Sequence, residues 1–98
     1  MSDQQQQKQI QIAFPDHLKG GVYCNNMVVN HTKEEFIMDF MMVAPPAGAV
    51  TARVIMSPGH MKRVVAALQT NLKKYEDNIA RIEAAPEPGK GKIGFRSP

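Results

Sequence analysis

Seven apolar residues in one row constrain this chain more than anything else in it: Met61, Val65, Leu68, Leu72, Tyr75, Ile79 and Ile82. The gaps alternate four and three without a fault. Residues so spaced fall on one side of an α-helix. Ser57 is placed to cap that helix and Pro58 to occupy its first position, where the missing N–H costs nothing. Pro86 stops it. The spacing predicts a helix over 58–84, about 40 Å long at the usual rise. A helix this long and one-sided must lie against something. The candidates are the β-rich segment before it and a second copy of the chain. Val64, Ala66 and Ala67 widen the stripe in the first half, which fits a sheet. The second half is narrow, which fits a helix pair. We therefore expect the front half on the sheet and the back half against a partner. The positions flanking the seam carry little paired charge, so a parallel zipper is not specified.

The segment before the helix alternates in the manner of strands. Ile10, Ile12 and Phe14 predict a short first strand, ended by Pro15. Val22–Val29 reads as a second. Glu35–Val43 is the strongest, and Val50–Met56 follows it across a Pro/Gly loop at 44–49. The expected fold is α+β: an antiparallel meander of three or four strands, then one long C-terminal helix.

Strand alternation sets Phe36, Met38, Phe40 and Met42 on one face, and Val50, Ala52, Val54 and Met56 on one face of the next strand. Aligning these faces in a hairpin allows a register with Phe40 opposite Ala52 and Asp39 opposite Arg53. That joins the two central charges in a structural ion pair, a register-setting contact worth about 0.2–1 kcal/mol. Ile37, Met41, Val43 and Ile55 then form a second apolar face. One helix cannot cover both faces. The second is covered either by another protomer or by the segment around Ile10–Leu18 folding back. With Leu72, Tyr75, Ile79 and Ile82 of the seam, those four residues make up the expected oligomer or partner interface.

Both ends of the 98-residue chain are poor in large apolar groups. We expect disordered tails at 1–9 and 85–98 around one domain at 10–84. A domain this small buries a modest fraction of its surface, and such domains are often supplemented by disulfides, metals or partner chains. Cys24 is the only cysteine, so no disulfide closes within the chain, and no Cys/His cluster has metal-site spacing. Self-association, as a dimer or tetramer, is the supplement left. No cofactor is expected. The polar start predicts no signal peptide, no apolar run reaches membrane-spanning length, and the cytoplasm is the expected location.

The remaining chemistry is sparse. Ser57, Gly59, His60, Lys62 and Arg63 form a basic helix start, where free N–H groups attract anions or an acidic partner; the plainer reading is a solvated cap. Cys24 has His17, His31 and His60 elsewhere in the chain but no local nucleophile signature, so an enzyme is not expected. The chain carries seven methionines, whose flexible thioethers fill irregular cores and also serve surfaces that bind varied apolar partners. The net charge is +3. Part of it comes from Lys90, Lys92 and Arg96 in the C-terminal tail. The expected role is a non-enzymatic, homo-oligomeric protein-binding or adaptor module. A nucleic-acid-associated protein using the helix start and the basic tail is the alternative.

Val22-Tyr23-Cys24-Asn25, Glu35-Phe36-Ile37-Met38-Asp39-Phe40 and Arg53-Val54-Ile55-Met56-Ser57-Pro58-Gly59-His60-Met61-Lys62-Arg63, with Asn71 and Tyr75-Glu76 beyond, resemble a small prokaryotic family known as domain of unknown function 3467. The resemblance covers about 22–82. Cys24 stands where that family is expected to have a small polar residue. The resemblance implies domain limits and brings no activity.

Overall fold

The computed structural model describes residues 9–89 and 91–95. The tail expectations for 1–8 and for Lys90 and Arg96 lie outside these residues. Three antiparallel strands, β1 (Asn26–His31), β2 (Phe36–Ala44) and β3 (Ala47–Met56), form one sheet in the order β1-β2-β3, and the helix α1 (Pro58–Asn78) follows. This is the expected α+β order with three strands. Ile10–Phe14 is not a strand; Pro15 leads instead into a 3-10 turn at Asp16–Leu18.

β1 begins later than its composition predicts, and the reason lies in Asn25. Its side-chain amide donates to the Val43 carbonyl at 3.0 Å and accepts the Val43 N–H at 2.8 Å. A side-chain amide carries the donor and acceptor of a peptide group, so Asn25 continues the ladder without being a strand residue. At the other end, Thr32 Oγ1 accepts the N–H groups of Glu34 and Glu35, both at 3.1 Å. That closes the turn into β2.

The β2–β3 hairpin is tighter than expected. Both strands run on until only Pro45-Pro46 separates them, where a loop over 44–49 was predicted. In its lower part the register sets Phe36 opposite Met56, Met38 opposite Val54, Asp39 opposite Arg53 and Phe40 opposite Ala52. Above Phe40 the register shifts, and Met41 faces Val50. Thr51 is the extra residue of a β-bulge. Its hydroxyl donates to the Phe40 carbonyl at 3.3 Å. The shift moves Val50 off the face of Ala52, Val54 and Met56, where unbroken alternation would put it. Gly48 is required near the turn: a Cβ there would stand 2.9 Å from the Met42 carbonyl oxygen and 3.1 Å from Val43 Cα.

Helix α1 starts as the sequence predicts. Ser57 Oγ accepts the His60 N–H at 3.2 Å, and Pro58 takes the first position. The end comes earlier than Pro86. Ile79 still donates its N–H to the Tyr75 carbonyl, but its backbone has left the helix. The Ile82 N–H turns back to Glu76 Oε2 at 3.1 Å. Ile82 therefore leaves the helical seam.

Candidate interaction surface

The sheet has two unlike faces. One carries Val28, Ile37, Asp39, Met41, Val43, Arg53 and Ile55. It holds both buried residues of the described chain, Met41 at 3% and Asp39 at 2% exposed. Arg53 grips Asp39 with two hydrogen bonds, Nε to Oδ1 at 2.6 Å and Nη2 to Oδ2 at 2.9 Å. The two parallel bonds match guanidinium to carboxylate. They hold the Asp39 carboxyl below its ordinary range, while burial pulls the other way. The bulge contributes by setting Val50 opposite Met41.

The other face is apolar throughout its centre. Cross-strand pairs place Met27 beside Phe40, Val29 beside Met38, and Met38 beside Val54. Phe36 and Met56 extend the row, and the His31 ring lies 5.4 Å from that of Phe36. None of these side chains is buried. Four of the methionines, Met27, Met38, Met42 and Met56, belong to this face.

The expected assignment of faces is thus corrected. The Phe36–Met42 row was to lie under the helix, and the Ile37/Met41/Val43/Ile55 face was to need a partner. Met41 is instead closed off within the chain, and Ile37 and Val43 are half-buried; Ile55 alone of the four is exposed. Large apolar residues stand on both rows, and the segments at 87–89 and 93–95 that reach the Met41/Val43 end of the sheet carry no periodic signal.

The helix does not resolve the exposure. α1 makes only marginal contact with the sheet and contains no buried residue. Met61 and Val64 are half-buried. Beyond them the seam opens, with Leu68 at 64% exposure and Leu72, Tyr75, Ile79 and Ile82 also exposed. Contact with the chain's own sheet therefore ends within the first two turns, not halfway along. The N-terminal segment offers no cover either, since Ile10, Ile12, Phe14 and Leu18 are all exposed.

The total surface shows the same deficit. The chain exposes 9138 Å², against about 5,600 Å² for a compact monomer of 10.9 kDa. Granting the residues outside the description all the surface of an extended chain, about 1,900 Å², still leaves an excess of about 1,600 Å².

The basic helix start is less of an anion site than its composition suggests. Pro58 has no N–H, the His60 N–H goes to Ser57 Oγ, and the Met61 N–H goes to the Ser57 carbonyl at 3.0 Å. Gly59 is the opening donor that remains. Lys62 and Arg63 stand exposed beside it.

Elsewhere, Glu87–Gly89 and Ile93–Phe95, without regular structure, return to the hairpin tip. There Ile93 and Phe95 line a groove of about 240 Å³ with Val43, Pro45 and Val50. Cys24 is exposed. Among the described residues, no three of His, Cys, Asp and Glu gather closely enough to hold a metal ion. No described helix is long and apolar enough to cross a membrane.

Residues 1–84 match the family described as Protein of unknown function (DUF3467). The chain belongs to this family. Curated proteins and solved structures give no match. The match spans all three strands and the whole of α1, and it carries no activity with it.

Proposed function

We propose that this DUF3467 chain is a non-enzymatic, self-associating protein-binding or adaptor module that works in the cytoplasm. The observation that carries this reading is the open sheet face, where Met27, Val29, Met38, Phe40, Met42 and Val54 meet with none of them buried. Contiguous apolar surface of this kind marks an interaction site. Its methionines give it side chains that re-pack around partners of different shape. The exposed seam of α1 supports self-association, since Leu68, Leu72 and Tyr75 find no cover within the chain.

Sedimentation equilibrium of the full chain across a concentration series tests the reading. A stable dimer or tetramer is expected. A monomer that persists at high concentration would overturn it.

A further inference from the structure

We propose that two copies of the chain pair through α1 in antiparallel fashion, about a two-fold axis beside Leu68 and Leu72. This rests on the self-association proposed above and specifies its geometry.

The seam supplies the first argument. Opposed to a reversed copy of itself, it sets Met61 against the partner's Ile79, Val65 against the partner's Tyr75 and Leu68 against the partner's Leu72. Each apolar position of the row up to Ile79 then meets an apolar position. Sliding the helices by one heptad either drops two of these layers or draws on Ile82, whose N–H has turned back to the Glu76 side chain beyond the C-cap at Ile79.

Charge supplies the second. In an antiparallel pair, residues flanking the seam on one side meet their own kind from the partner helix. On one flank these are Lys62, Gln69 and Glu76. The reversed register brings Lys62 to the partner's Glu76 twice, once at each end, and Gln69 to the partner's Gln69 at the axis. On the other flank Asn71 meets the partner's Asn71. Identical residues necessarily meet near a two-fold axis, and amides tolerate this because each carries both donors and an acceptor. A parallel pair would oppose Asn71 to the partner's Glu76, with no opposite charges brought together.

The ion pairs within the chain sharpen the point. On the outer side of α1, Lys73 is already paired with Asp77 at 2.8 Å. Among the described residues, Lys62 has no acid within ion-pair distance and Glu76 no cation. Glu76 Oε2 accepts the Ile82 N–H, which leaves its second oxygen for the ammonium group.

The test uses full-length chains carrying Cys24→Ser, so that introduced thiols are the only ones. Gln69→Cys is expected to cross-link to itself on mild oxidation. Lys62→Cys and Glu76→Cys are expected to cross-link only when mixed, because each lies about 18–24 Å from its own copy along the antiparallel pair. Lys62→Glu is expected to weaken association about tenfold, and adding Glu76→Lys to recover most of the loss. Circular dichroism of the variant separates weakened association from loss of helix: the helical signal of the dissociated chain should be unchanged. A dimer by mass in which Lys62→Cys cross-links to itself, or in which the mixed pair fails to link, overturns the antiparallel register and leaves self-association standing. A monomeric parent chain overturns both.

Discussion

The β2–β3 hairpin and the helix α1 stand in contrast. In the hairpin, the buried carboxylate of Asp39 finds Arg53 across the strands, and Met41 is enclosed beside Val50. In α1, the seam from Val65 onward finds nothing within the chain to lie against. One region pairs its central charges and encloses Met41, and the other leaves its apolar seam exposed in the single chain. An isolated helix of 21 residues with little packing is only marginally stable in water. Under the self-association proposed above, concentration should matter to the helix and not to the hairpin.

The largest expected effect tests this directly. Met41→Ala removes the buried thioether and should cost about 2–5 kcal/mol. The loss should be the same at every protein concentration. Leu72→Ala should leave a dilute chain almost unchanged and lower stability only where the wild type associates, since association stabilises the folded state by mass action. Urea unfolding at several concentrations separates the two. A Leu72→Ala cost that persists at the lowest concentration would break the comparison.

The legibility of the chain divides along the same line. The Asp39–Arg53 pairing was readable because alternation restricts the register and these are the central opposite charges of the hairpin. The bulge was not, because the parity argument assumes an unbroken ladder and nothing about Thr51 announces an extra residue. The bulge puts Val50 on the face of Met41, and residues 87–89 and 93–95 also reach that end of the sheet, so alternation alone yielded both rows but not which of them closes. The helix start was legible in Ser57-Pro58. Its end was not, because Ile79 and Ile82 keep the seam spacing with no glycine or proline between them. The chain turns out at Asn78 by a bond from the Ile82 N–H to the Glu76 side chain, a contact invisible to periodicity.

A smaller effect is expected at the hairpin tip. In Gly48→Ala the new Cβ would meet the Met42 carbonyl oxygen at 2.9 Å and Val43 Cα at 3.1 Å. Both are backbone atoms of the paired strand and cannot swing aside. Overpacking of this kind costs about 1–3 kcal/mol. The shift in urea midpoint should again be independent of concentration, because the strain lies wholly within one hairpin.

The smallest effect lies at the junction of the two regions. Ser57 follows directly on β3 and caps α1 through the His60 N–H. Ser57→Ala leaves that donor without its partner, at a cost of about 1 kcal/mol. Because α1 hardly touches the sheet, the loss should fall on the helix alone. Amide exchange should show faster opening across α1 and unchanged protection in β2 and β3. The proposed association through the seam requires a formed helix in both copies, so the same substitution, costing about 1 kcal/mol at each of two caps, should weaken self-association about thirtyfold. If β2 and β3 lose protection together with α1, hairpin and helix form one cooperative unit within the single chain. The helix would then draw its stability from the sheet, and the division between a self-contained region and a dependent one would fail.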